Sequence, residues 1–180
     1  MALIKLNNQS YTTLDATKLS GNLPAISGAS LTGITTGKVL QVLQSTNHLT
    51  SNTTSTSYVD MPTSMSVDIT PSSSSNKILV SFNVYLSNTG SNTWWVRLKR
   101  DSTTIGDDQA GTGIDAGGAN ASSYNRNKAN MTWLDSPNTT STKTYKLQWK
   151  CDGNTLYMNR IGASTTRGGR SHITVMEIEA

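Results

Sequence analysis

The chain has 180 residues, of which 34% are hydrophobic and only 14% charged, with a formal net charge of +4. That length fits one ordinary domain plus an extension, and the low charge argues against a disordered polyelectrolyte. Lys and Arg are scattered, densest at Arg97, Lys99 and Arg100; without a basic stripe interleaved with stacking aromatics, nucleic acid is not expected as a partner.

The chain opens on MALIKLNNQS, which reads as a short extended arm with Leu3, Ile4 and Leu6 as its apolar contacts. Apolar residues continue sparsely through Leu14, Leu19, Leu23, Ile26, Leu31 and Ile34. Pro24 forbids a regular helix there. Leu19-Ser20-Gly21 and Leu31-Thr32-Gly33 are spaced like a degenerate repeat. Residues 1–36 hold too little apolar surface to fold alone. Three copies wound together would share one axial seam, so these six positions are the candidate trimerisation residues and the arm is the candidate anchor.

From Gly37 the hydrophobic period becomes two. Lys38–Gln44 (KVLQVLQ) is an apolar-rich strand, and Tyr58–Met61 a short one. Met65, Val67 and Ile69 alternate with polar residues. Ile78, Val80, Phe82, Val84 and Leu86 form a long one-faced strand. Trp94, Val96 and Leu98 alternate with Trp95, Arg97 and Lys99, which makes Trp94 the core residue and turns Trp95 outward beside two cations. Met131–Leu134 is short; Tyr145, Leu147 and Trp149 alternate with Lys146, Gln148 and Lys150. Leu156–Ile161 follows an Asp-Gly-Asn turn, and Ile173–Ile178 is the last strand. About nine strands with polar turns predict an all-β fold, an antiparallel jelly-roll-like sandwich over residues 37–180, carried on the extended N-terminal segment 1–36.

Two loops stand out. Ile105–Asn127 is long, glycine-rich and nearly free of large apolar residues, and Gly162–Ser171 is a shorter one of the same kind. Loops presented by a rigid sandwich are where binding concentrates. Asn120, Tyr124, Asn125, Arg126, Arg167 and Arg170 supply donors, a ring and positive charge suited to hydroxyl-rich or anionic glycan; the alternative is that these loops only line the trimer interface or move freely. An outward Trp95 beside cations suits stacking on a sugar ring and packing against a neighbouring subunit alike.

Several stretches together resemble a known family. ATKLSGNLPAISGASLTGI followed by GKVLQV, the block TSTSYVDMPTSMSVDITPSSSSNKILVSFNVYL, and the segments WVRLKRDSTTIGD and SPNTTSTKTYKLQW are similar to fibre and tail-fibre-like proteins of tailed bacteriophages, especially marine and cyanobacterial ones. The resemblance covers nearly the whole chain. It implies a virion component assembled in the host cytoplasm, a homotrimer whose N-terminus attaches to other virion structural proteins and whose β domain points outward to contact a host cell-surface glycan. The 36-residue leader departs from the long shaft of a long fibre. A short fibre, a fibre tip held by an adaptor, and a spike on capsid or collar all remain open, as does a head-fibre or decoration protein with a purely structural role.

Catalytic constellations are not evident. His48 and His172 are the only histidines and form no metal-type pair, so no metal is expected; His172, at the start of the last strand, reads as a satisfied edge residue. Asp107, Asp108 and Asp115 lie in the long loop without the rigid groove that a glycan hydrolase needs, and they read as solvated loop acids. The chain is therefore not expected to be an enzyme or to need a cofactor. Cys151 is the sole cysteine and reads as a small strand-end residue in a protein assembled in a reducing compartment. No apolar run approaches a membrane span, and the first ten residues have no signal core, so no membrane insertion is expected.

Overall fold

The computed structural model describes residues 38–89, 93–106, 127–161 and 168–180, and the backbone of 116–117. The predicted anchor (Leu3, Ile4, Leu6), the trimerisation positions (Leu14, Leu19, Leu23, Ile26, Leu31, Ile34), Asp107, Asp108 and Asp115, and the loop residues Asn120, Tyr124, Asn125, Arg126 and Arg167 lie outside the described residues. The chain divides into two units, Met1–Thr36 and Gly37–Ala180, and every described residue belongs to the second.

That unit is all-β. Its strands are β1 (Val39–Asn47), β2 (Ser51–Thr53), β3 (Val59–Asp60), β4 (Ser66–Ile69), β5 (Lys77–Asn88), β6 (Trp94–Arg100), β7 (Thr103–Ile105), β8 (Ala116–Gly117), β9 (Asn127–Asp135), β10 (Lys143–Cys151), β11 (Leu156–Met158) and β12 (Ser171–Ile178). Every pairing among them is antiparallel. In sheet A, β1 pairs β12, β12 pairs β5, and β5 pairs β9 on its other edge; β11 and β2 prolong the β12 and β1 positions. In sheet B, β4 and β3 share one edge of β10, β6 takes the other, and β7 and β8 lie beyond β6. Counting β1, β4, β5, β6, β7, β9, β10 and β12 as first to eighth, the sheets read 1-8-3-6 and 2-7-4-5. That is the double-sheet wrapping of a jelly roll.

The core follows from alternation. Ile78, Val80, Phe82, Val84 and Leu86 of β5 face Trp94, Val96 and Leu98 of β6 and Tyr145, Leu147 and Trp149 of β10, all essentially sealed from water. The strand count exceeds the predicted one because β2, β7 and β8 are two or three residues long, too short to show a period. Ile105, predicted as the start of the long loop, is buried opposite Leu98. The strand predicted over Met131–Leu134 runs from Asn127 to Asp135. The one predicted over Leu156–Ile161 stops at Met158, since Asn159 turns left-handed at φ 55°. His172 is not an edge residue: it sits between Thr46 of β1 and Asn83 of β5, because β1 folds back to cover the last strand.

Glu177 shows how a thin apolar core is supplemented. Its side chain is buried, and Oε1 accepts from the Ser72 amide (2.7 Å), Ser72 Oγ (2.8 Å) and Asn76 Nδ2 (2.7 Å), while Oε2 accepts from Gln41 Nε2 (2.6 Å). Burial works to raise its pKa, but the donors from Asn76, Gln41 and Ser72 outweigh it and hold the carboxyl at about 2. A lowered folded-state pKa contributes stability that is complete above the ordinary value of 4.5 and is lost as pH falls towards about 2. Glu177→Gln is therefore expected to lose about 2 kcal/mol near neutral pH, by analogy with charged hydrogen bonds. Its deficit against wild type should shrink in urea titrations near pH 2.5. A deficit independent of pH would assign the loss to shape rather than charge.

Candidate functional site

The two outer faces of the sandwich differ in chemistry. On sheet A the register brings Val42, Met176, Leu79 and Leu134 into one outward row across all four strand positions. Val42 is 54% exposed and Leu134 53%. Val39 and Leu40 extend the same apolar surface along β1, and both are exposed. The neighbouring inward row, Leu43–Val175–Val80–Trp133, ends in side chains that are also exposed at both sheet edges. The apolar-rich first strand is thus an edge strand whose aliphatic side chains the domain does not cover. Scattered exposed apolar residues are ordinary, but a contiguous patch marks an interaction surface.

On sheet B the outward side chains form an aromatic and basic array in three rows. Trp95 lies opposite Lys150; Arg97 opposite Gln148, and Gln148 opposite Asp60; Lys99 opposite Lys146, and Lys146 opposite Ser66. Alternation turns these out because Trp94, Val96 and Leu98, and Tyr145, Leu147 and Trp149, turn in. Polar bonds tie the rows into a net. Arg97 Nε donates to Gln148 Oε1 at 2.8 Å, Gln148 Nε2 to Asp60 Oδ1 at 2.6 Å, and Lys146 Nζ to Asp60 Oδ2 at 2.7 Å. Tyr58, just before β3, holds the Arg97 guanidinium 3.9 Å and the Lys150 ammonium 4.8 Å from its ring centre. Lys150 also lies 4.4 Å over the Trp95 ring. Such contacts fix cations on long side chains without neutralising them.

The electrostatics are lopsided. Arg97, Lys99, Lys146 and Lys150 face one carboxylate, Asp60, on these rows, and Asp68, opposite Thr144, stands one row beyond Lys146. Hydrogen bonds from Lys146 and Gln148, with the charges of Lys146 and Lys99, hold the Asp60 carboxyl below its ordinary value, so it stays ionised. Burial, with the charges of Arg97 and Lys146, lowers the Lys99 ammonium from its ordinary value. Among the described residues Lys99 has no hydrogen-bond or ion-pair partner. The arrangement can hold anions and can offer acceptors to hydroxyl groups. Among the described residues no group of three or more His, Cys, Asp or Glu is placed to hold a metal ion. Burial raises the Cys151 thiol pKa, and its Sγ lies against the Thr53, Ser55 and Asn154 carbonyls, which suits a packed strand end.

Of the loop and strand residues singled out from sequence for host contact, Trp95 and Arg170 are described. Trp95 sits on the basic face of sheet B. Arg170 is exposed just before β12, in sheet A, so the two do not share a sheet. Sequence reasoning passed over Tyr58, Asp60, Gln148 and Lys150. The inward phase of Tyr145, Leu147 and Trp149 already turned Lys146, Gln148 and Lys150 outward. Their encounter with Tyr58 and Asp60 depends on cross-strand register, for which no local signal exists. No protein-family model matches the chain, and no curated protein matches it.

If the array serves a partner rather than the fold, its removal should barely alter stability. The double variant Asp60→Asn with Lys146→Gln is expected to change the urea unfolding free energy by less than about 1 kcal/mol. A loss of several times that would make the net a structural element.

Proposed function

We propose that the chain is a virion fibre protein of a tailed phage, a homotrimer anchored through Leu3, Ile4 and Leu6, with an outward β domain that contacts the host surface. The observation that carries this reading is the uncovered apolar surface of sheet A. A single chain leaves Val39, Leu40, Val42, Leu43 and Leu134 in water, although the same domain seals Ile78, Val80, Val84, Leu86, Val96, Leu98, Leu147, Ile173 and Val175. Further copies of the same chain would cover it. In sequence, the sparse apolar positions of the leader, ending at Leu31 and Ile34, run on directly into Val39, Leu40, Val42 and Leu43. Burial of such a patch contributes roughly 25 cal/mol per Å² removed from water, and a domain with thin cores gains from it.

The jelly roll supports the reading in a second way. It is a rigid platform whose faces are available for different tasks, one for neighbouring copies and the other for the exterior. Multivalent display then makes weak single sites effective.

Light scattering of the purified chain should give about three times its 19.3 kDa mass. Val42→Lys with Leu134→Lys should shift it towards the monomer while leaving the far-ultraviolet β signal intact. A stable wild-type monomer would remove the basis of the fibre reading. Immunogold labelling of particles should place the protein at the tail; labelling over the capsid would favour the head-fibre or decoration role instead.

A further inference from the structure

The outer face of sheet B contains a pairing that folding does not favour. Lys99 of β6 and Lys146 of β10 are directly opposite each other. Like charges in that relation are destabilising, with Cβ atoms only about 5 Å apart. Arg97 stands two residues along the same face, about 7 Å away by strand rise. Lys146 relieves part of its charge on Asp60, and Lys99 has no such outlet among the described residues. Lys150 and Arg97 are held over aromatic rings, which position a cation and leave its charge in place. The face thus crowds several cations together, holds Arg97 and Lys150 over rings, and leaves the set under-neutralised on these rows.

Acceptors are built into the middle of it. Asp60 Oδ1 and Oδ2 each accept one hydrogen bond from within the array, and Gln148 Oε1 accepts one from Arg97. Each of these oxygens retains a second lone pair. A ligand that satisfies the whole face must bring negative charge to the lysines and hydroxyl donors to Asp60 and Gln148.

We propose that the outer face of sheet B binds an acidic polysaccharide, a hydroxyl-rich chain carrying carboxylate or sulfate groups, across Trp95, Arg97, Lys99, Lys146, Gln148 and Lys150. Its acidic groups take the place between Lys99 and Lys146 and along Arg97 and Lys150. Its hydroxyls donate to Asp60 and Gln148. DNA fits less well: its phosphodiester backbone has no hydroxyl to donate and would set phosphate beside the Asp60 carboxylate. This inference deepens the host-contact reading and rests on it for where the ligand is met; the binding is tested without the particle.

The experiment is titration calorimetry of the purified full-length chain with alginate, a polyuronate, and with dextran sulfate, against neutral dextran and single-stranded DNA. Binding to at least one acidic polysaccharide and none to dextran is expected, with affinity falling steeply as salt rises from about 0.01 M to about 1 M, where the screening length drops from about 30 Å to about 3 Å. Lys99→Gln with Lys146→Gln should weaken it about tenfold or more, with a melting temperature that does not fall, since the variant also relieves the like-charge pair; Lys150→Gln alone should weaken it by less. Should the double variant fail to fold, Lys99→Gln alone takes its place. No binding to either acidic polymer overturns the proposal, as does binding that the lysine variants leave unchanged or DNA binding as tight as that of the polysaccharide. Adsorption of particles carrying the same variants tests the attachment reading separately: lost polysaccharide binding with normal adsorption would sink host contact by this face and leave the site standing.

Discussion

The sandwich depends on one carboxylate that joins its two sheets. Asp135, at the end of β9 in sheet A, is buried between Arg100 of β6 and Tyr145 of β10, both in sheet B. Arg100 Nη1 donates to both of its oxygens, at 2.9 and 2.7 Å, and Tyr145 Oη donates to Oδ2 at 2.6 Å. Arg100 and Tyr145 are directly opposite in their own sheet, as Asp135 and Ile78 are in theirs. The three groups meet only when both sheets are in register. A slip of one residue in either would turn the inward set outward and leave the charge buried without partners. Burial, with Asp135 beside it, raises the Tyr145 hydroxyl far above its ordinary pKa, so it remains a donor. Breaking such a cluster by removing one member costs on the order of 3 kcal/mol, more than a chain with so few large side chains readily recovers.

The same scarcity explains why other buried polar groups close the ends of the fold. Asn159 is fully buried, donates to the Asn47 and Leu49 carbonyls, and accepts from Ser171 Oγ, which itself accepts from the Tyr85 amide. This one side chain ties the turn after β1 to the starts of β12 and of the segment after β11. Glu177 does the same for the connection between β4 and β5. Where apolar volume is short, fully bonded polar groups specify which loop goes where. In Asn159 and Glu177 each polar side-chain atom finds a partner; a half-bonded network would be worse than an apolar one.

With the core fixed in this way, the two outer faces are free to differ. Sheet B turns its charged and aromatic side chains to water and holds them by bonds within the face. Sheet A leaves aliphatic side chains uncovered along β1 and β9, the two edges of the sheet. Edge strands that carry apolar side chains are liabilities in a solitary domain, and such an arrangement is tolerable where a further surface covers it. The division of labour proposed for the protein rests on this asymmetry. It arises from composition: with hydrophobic residues at 34%, few remain to spend outside the core, so a cluster of them on one exterior face is informative.

Alternation alone placed Ile78 through Leu86, Trp94 through Leu98 and Tyr145 through Trp149 inward, and thereby turned Trp95, Arg97, Lys99, Lys146, Gln148 and Lys150 outward. The period of a strand is local, since successive side chains alternate by backbone geometry whatever they pair with. The Asp152-Gly153 turn was equally local, and Gly153 takes the positive φ of 98° that glycine permits. Pairing is not local. That β1 is an edge and β12 a central strand, that KVLQVLQ faces water while Ile173 and Val175 are buried, and that Lys99 stands against Lys146 follow from contacts between segments far apart in the chain. Both anionic partners, Asp60 for Lys146 and Asp135 for Arg100, were likewise invisible until the sheets were assembled. Which side chains point outward was written in the order of residues; which of them meet was decided by register, because one residue of slip changes every neighbour without changing the pattern.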